Sequence, residues 1–245
     1  MGSPQRGVPA CGGLVLYSDG TTPGNAIAKW TDRELTCWCW TIAELPGWFW
    51  CREDWFPFGY MKTSLEKQVP GQLSGVTKHV LRVFFSTGGF SFCSGMRLPD
   101  GDGHLLLRLE LRCFMQDGAA HKQMSSTKGA SGYICCLSCR NICNAKPGQL
   151  VGNRHLHHYA TAKPGDFLRH DRESFYEQCD KLMVAKGELS KTKFEELELA
   201  YGMTFDADSV VYDRSLRSVY SVVDHTLIAT PCAVCCLLAA LPNMS

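Results

Sequence analysis

One run of alternating residues constrains the fold of this chain more than any other part of its sequence. The run is HLLLRLELRCF at 104–114, and Arg108, Glu110 and Arg112 share one side of its alternation. The other side carries the leucines Leu105, Leu107, Leu109 and Leu111. An apolar residue at every second position is typical of a β-strand with one face on a hydrophobic core. The run therefore predicts a sheet strand, and Asp117 stands just after it.

A second acidic residue ends another apolar run. Residues 13–19, GLVLYSD, predict a buried strand that ends at Asp19 and opens into a turn-rich loop at Gly20. Asp19 has two interpretations, namely a residue that starts a turn or a carboxylate that binds metal at the end of a strand. In a mixed sheet, Asp19 and Asp117 can meet at one edge. Two such carboxylates can hold Mg²⁺ or Mn²⁺ ions for reaction at a phosphodiester.

Further elements are predicted between the two aspartates. The alternation of cysteine and tryptophan at 37–40 predicts paired strands separated by a turn at Pro46-Gly47. Core packing is the interpretation we favour for the tryptophans, although such a cluster can also stack on nucleobases. Residues 60–76 predict a surface helix and loop, and the runs at 79–86 and 90–98 predict two more strands. The expected fold class is α/β (α+β), with a mixed sheet.

Cysteine and histidine residues follow Asp117 at spacings that suit zinc. Two thiolates at Cys136 and Cys139 can both reach one tetrahedral Zn²⁺. His155 and His158 can complete the site, although they lie one residue closer together than is usual. Buried cysteines beside an exposed, histidine-rich loop are the alternative interpretation.

The remainder of the chain predicts helices and then an apolar tail. Charges at helical spacing predict two helices, at about 166–186 and 190–201, with the second ending at Gly202. We expect Glu195, Glu196 and Glu198 to form a solvated helix face. The expected organisation is a sheet core over 11–145, a Cys/His loop with a helical insertion over 146–226, and an aberrant hydrophobic tail over 227–245.

Composition adds limits on partners and location. The formal net charge of +1 gives no overall electrostatic attraction to nucleic acid, so a basic surface would have to be local. The 14 cysteines are expected to be reduced, because the first residues lack the apolar segment of a secretory signal. No segment has the roughly 18 apolar residues that cross a bilayer, so no membrane partner is expected.

Four stretches carry a resemblance to a known family. They are LVLYSDGTTPGN (14–25), RVFFSTGGFSF (82–92), FMQDGAAHKQM with KGASGYICCLSCRN (114–141), and DRSLRSVYSVVDHT (213–226). Together they resemble DDE-type transposases of eukaryotic cut-and-paste elements, in particular the transposase-like open reading frames of dinoflagellates. The resemblance covers about residues 11–226.

The resemblance implies an RNase H-like catalytic domain and a function in DNA strand transfer. The first two metal-binding acids of the family would be Asp19 and Asp117, with Mg²⁺ or Mn²⁺ as cofactor. A Cys/His cluster that includes Cys136 and Cys139 would follow them. The family's third acid lies on a later helix that this chain does not clearly supply, so we expect an incomplete or inactive copy. DNA and a second copy of the chain are the expected partners, and the nucleus, otherwise the cytoplasm, is the expected location. A non-catalytic zinc-binding or protein-interaction module is the alternative.

Overall fold

The computed structural model describes residues 11–21, 34–45, 55–85, 91–100, 103–136, 138–144 and 156–228. Within these ranges the chain forms eight strands: β1 Cys11–Thr21, β2 Leu35–Ile42, β3 Phe56–Lys62, β4 Met96–Asp100, β5 Gly103–Gln116, β6 Ile142–Cys143, β7 His157–His158 and β8 Thr226–Ile228. It also forms six α-helices: α1 Thr63–Glu66, α2 Gln72–Phe85, α3 Gly118–Met124, α4 Arg172–Glu188, α5 Lys191–Tyr201 and α6 Val222–His225.

The described residues build one main sheet of mixed direction. Its strands follow the order β3-β2-β1-β5-β4, and the short β8 also pairs with β5. Strands β1, β2 and β3 are antiparallel neighbours, whereas β5 runs parallel to both β1 and β8. This sheet and its helices confirm the predicted mixed α/β class. A separate pair of two-residue strands, β6 and β7, runs parallel.

The alternation in β5 is confirmed, and a bulge then changes which residues face the core. Leu109 and Leu111 are buried, while the charged residues Arg108, Glu110 and Arg112 are exposed. The pairing with β1 skips Arg112, because Leu14 pairs with Leu111 and Val15 with Cys113. One extra residue on a strand reverses the facing of everything beyond it. Phe114 and Gln116 are consequently buried.

The predicted strand at 79–86 is wrong, because residues up to Phe85 belong to helix α2. A short apolar run cannot distinguish a strand from a buried helix by its periodicity alone. The full element places Leu73, Val76, Leu81 and Phe85 in the core, at separations of three to five residues. Such spacing keeps these side chains on one side of a helix.

The two predicted C-terminal helices are confirmed, with one corrected start. Helix α4 begins after Asp171, whose side chain accepts a hydrogen bond from the Ser174 amide at 2.7 Å, later than the predicted position near 166. Helix α5 ends at Gly202, which takes a left-handed conformation with φ of 64°. The expected solvation of Glu198 is wrong. Its side chain is buried, pairs with Lys128 at 3.1 Å and accepts from the Phe205 amide at 2.7 Å.

The buried residues form one hydrophobic cluster that joins the sheet to the helices. It includes Leu14 and Leu109 from the sheet, Leu81 from α2, Leu182 from α4 and Tyr220 from the segment before α6. The predicted ranges 11–145 and 146–226 therefore both contribute to this cluster. Of the predicted tail, Leu227 and Ile228 belong to β8, and residues 229–245 lie outside the described part, as does the predicted turn at Pro46-Gly47.

Candidate functional site

The ends of β1 and β5 position the two predicted aspartates side by side. Tyr17 of β1 pairs with Met115 of β5 in parallel register. Asp19 lies two residues beyond Tyr17 in β1, and Asp117 follows β5 directly as the residue that caps α3. Both aspartates therefore belong to the same end of this pair of neighbouring strands.

Both aspartates line one cavity of about 260 Å³. Two further carboxylates line it as well, those of Glu34 and Glu66. The neutral polar side chains in its wall are Ser18, Thr36, Thr63 and Gln123. Four acidic residues thus line the cavity, with no Lys or Arg among its described lining residues, but no three of these acids lie close enough together to hold one metal ion.

Each aspartate also has a partner within the protein. Asp19 is half-buried and accepts a hydrogen bond from the Tyr17 hydroxyl at 2.7 Å. Asp117 is exposed, and one of its oxygens accepts from the Ala120 amide at 2.7 Å, which caps the start of α3. The position of Asp117 is therefore fixed by a helix start as well as by a strand end.

Glu66 is the most buried acid of the cavity, with 4% of its surface exposed. Its carboxylate accepts a hydrogen bond from the Thr36 hydroxyl at 2.5 Å. The Thr36 hydroxyl therefore satisfies one oxygen of this buried carboxyl group. Sequence analysis missed Glu66 and Glu34, since both lie in polar stretches with no distinctive spacing. Pairing of β2 with β1 was the signal that could have placed Glu34 near Asp19.

The predicted zinc residues are only partly described. Cys139 is buried and Cys136 is half-buried. His158 lies in β7, where its Nδ1 accepts from the Ala160 amide at 3.2 Å. His155 lies outside the described residues. Among the residues that the structure does describe, no three His, Cys, Asp or Glu side chains gather closely enough to hold a metal ion.

A histidine that sequence analysis did not single out lies beside the cysteines. His170 is buried and lines a small cavity with Cys135 and Cys136. Burial lowers the pKa of His170, with Arg140 as a further cause, while Asp171 and Cys136 act in the opposite direction. Its Nδ1 is 3.1 Å from the Ser174 hydroxyl. The backbone amide of His170 donates to the Ser138 carbonyl oxygen at 2.9 Å, and this bond places His170 beside the segment that carries Cys139.

Comparison with known proteins adds no family to this description. No protein-family model matches the chain, and no curated protein matches its sequence. Over the described part of the chain, no helix combines the length and apolar character needed to cross a membrane.

Proposed function

We propose that this chain is a transposase-derived domain with an RNase H-like sheet, which acts on DNA by metal-dependent strand transfer. The observation that carries the proposal is the shared cavity of Asp19 and Asp117 at the ends of two adjacent parallel strands. This arrangement is what the resemblance implies for the family's first two acids. DNA and a second copy of the chain are its proposed partners, and the nucleus is its proposed location.

The donor set fits Mg²⁺ or Mn²⁺. These ions prefer oxygen ligands and are usually held by one or two carboxylates, with water and substrate phosphate completing the shell. Asp19 and Asp117 would hold the metal, and no third carboxylate of the described residues lies close enough to complete a three-ligand site. A bound ion would supply charge stabilisation at the phosphodiester. The chain's own contribution is to hold the two carboxylates, through Tyr17 for Asp19 and the α3 cap for Asp117.

A second cavity provides a polar path for a nucleic-acid strand next to the acidic one. Its volume is about 320 Å³, and it shares Ala119 and Gln123 with the acidic cavity. Lys122 and Asp206 line it, together with the polar residues Gln72, Ser126, Thr127 and Thr204. Lysine and hydroxyl or amide groups are the usual protein contacts of phosphate and sugar. The hydroxyl and amide groups support DNA binding here, whereas the single lysine is balanced by the single aspartate.

Titration with Mn²⁺, followed by electron paramagnetic resonance, tests the proposal. The changes are Asp19→Asn and Asp117→Asn, with Glu188→Gln, an exposed acid on α4, as the matched control. We expect each cavity variant to bind Mn²⁺ at least about tenfold more weakly than the wild type and the control, because a charged ligand is replaced by a neutral amide. Equal Mn²⁺ affinity in all variants would refute the proposal.

Mn²⁺-dependent nicking of supercoiled plasmid then separates the active from the incomplete form. An active domain nicks DNA, and the Asp19→Asn variant does not. Metal binding without nicking identifies an incomplete copy. Absence of both metal and DNA binding by the wild type would favour the alternative, a non-catalytic zinc-binding or interaction module.

A further inference from the structure

A buried side-chain hydrogen bond joins β1 to β5 one residue before each of the two aspartates. Ser18 precedes Asp19 in β1, and Gln116 precedes Asp117 at the end of β5. Nε2 of Gln116 donates to the Ser18 hydroxyl oxygen at 2.5 Å. The exposed fraction is 1% for Ser18 and 0% for Gln116. The bond joins residues 98 positions apart, so it connects two strand ends that only folding brings together.

The main-chain pairing of the two strands ends before it reaches the aspartates. The parallel register of β1 with β5 ends at the pair Tyr17 and Met115. Beyond that pair, β1 continues along β2, whereas β5 ends and α3 begins. The two chain segments therefore take different courses at this point. The bond between Ser18 and Gln116 is the cross-strand contact that lies between the last main-chain pair and the two carboxylates.

Both polar side chains end rows of residues that are otherwise apolar. Leu14 and Leu16 of β1 belong to the hydrophobic core, and Ser18 follows them on the same face. In β5, Phe114 belongs to the core and Gln116 follows it in the same way. Within the described part of the chain, Oε1 of Gln116 has no hydrogen-bond partner. A buried amide with one unsatisfied oxygen destabilises a fold relative to an apolar side chain of similar shape, so stability alone gives no reason for a glutamine here.

We propose that Ser18 and Gln116 are positioning residues, which hold the ends of β1 and β5 together and thereby keep Asp19 and Asp117 at the spacing that a shared divalent cation needs. The role of that spacing rests on the proposed function. Each of the two residues acts through the aspartate that follows it, and Ser18 also lines the acidic cavity. A hydrogen bond has a preferred length and direction, so it fixes the two strand ends more narrowly than apolar contact would.

Carboxyl ¹³C NMR of the full, metal-free chain tests the positioning directly. The variants are Ser18→Ala and Gln116→Met, each of which removes one side of the bond. The matched control is Thr77→Val, which deletes another buried hydroxyl, one that hydrogen-bonds within α2. We expect each variant to shift the aspartate resonance on the opposite strand, namely that of Asp117 in Ser18→Ala and that of Asp19 in Gln116→Met. The control should shift neither resonance.

Mn²⁺ titration by electron paramagnetic resonance tests the consequence for the cavity. We expect Ser18→Ala and Gln116→Met each to weaken Mn²⁺ binding by about tenfold, the lower end of what contacts behind metal ligands contribute. The double variant should bind no more weakly than the more affected single variant, because both changes break the same bond. Ser18→Thr keeps the hydroxyl and should retain the affinity of the wild type, as should Thr77→Val.

Unchanged resonances on the opposite strand in both variants would overturn the positioning role. Mn²⁺ affinities equal to that of the control, in a chain that binds Mn²⁺, would overturn it as well. Ser18→Ala is the smaller change and provides the measurement if Gln116→Met does not fold. If the wild type binds no Mn²⁺ while the resonances still shift across the strands, the proposed function fails and the positioning of the aspartates stands. The two failures are therefore distinguishable.

Discussion

Individual buried polar groups decide how this chain responds to acid. His121 on α3 has 3% of its surface exposed, and neither of its ring nitrogens has a hydrogen-bond partner. Burial lowers the pKa of His121 from 6.5 to about 4, so the ring is neutral in the folded protein at pH 7. The unfolded chain takes up a proton near the ordinary value, and folding then has to remove it.

The free energy of unfolding should fall as pH decreases from about 6.5 to about 4, because only the unfolded chain is protonated at His121 in that window. The loss from this group is at most about 3 kcal/mol, and it stops growing below the folded-state pKa. His121→Met should flatten this part of the pH profile, since it removes the titrating group without breaking a hydrogen bond. Urea unfolding at pH 7 and pH 4.5 measures the difference.

A matched histidine variant controls for this effect. His79→Gln on α2 replaces an exposed histidine and is the matched control for the loss of an imidazole. The pKa of Asp180 is lowered from 3.8 to about 2, chiefly by its hydrogen bond with Arg217. Titration of Asp180 therefore changes the free energy of unfolding only at a pH below the range in which His121 titrates. A profile for His121→Met as steep as that of the wild type would contradict the assignment.

At the scale of secondary-structure elements, the sequence predicts β5 and α5 well and α2 poorly. The leucine alternation of β5 has one interpretation, and Gly202 after a charged, periodic run is a clear helix end. The run ending at Phe85 was ambiguous, because its short apolar pattern fits either element. Similarly, Asp19 and Asp117 carry recognisable strand-end signals, whereas Glu66 and His170 reach their positions through contacts between distant segments. No local pattern encodes those contacts.

Two glycines in helices should respond to alanine in opposite directions. In α2, a Cβ on Gly75 would lie 1.9 Å from the carbonyl oxygen of Pro70, so Gly75→Ala must displace backbone. We expect it to destabilise the protein by about 1–3 kcal/mol. In α4, a Cβ on Gly187 meets nothing within 4 Å, so Gly187→Ala should stabilise by about 0.5–1 kcal/mol through helix propensity. Thermal unfolding of both variants checks the pair, and equal shifts would show that the packing around Pro70 relaxes freely.

At the scale of the whole molecule, one core joins the sheet and the C-terminal helices. Phe175 and Leu182 of α4 belong to the same cluster as Leu16 and Trp38. Outside that core, Asp180 of α4 accepts two hydrogen bonds of 2.8 Å from Arg217, which also stacks over Tyr176 at 4.5 Å. Because the sheet and the C-terminal helices share one buried core, their unfolding is coupled.

We therefore expect the described parts to unfold in one cooperative transition. Tryptophan fluorescence reports the sheet side through Trp38 and Trp40 of β2. Hydrogen exchange at the amides of Cys179 and Leu182 reports α4. Coincident denaturant midpoints for the two probes are the expected result. Separate midpoints would instead support independent units divided near residue 145.

The parallel pairing of β1 with β5 has one more consequence. Main-chain pairing of the two strands brings their ends together, and the α3 cap then fixes Asp117, so side-chain identity in the sheet beyond Ser18 and Gln116 contributes little to where Asp19 and Asp117 lie. Substitutions can therefore accumulate across the rest of the sheet while the two carboxylates keep their separation. In a chain of this kind the geometry of a site can outlast the sequence similarity by which relatives are usually found.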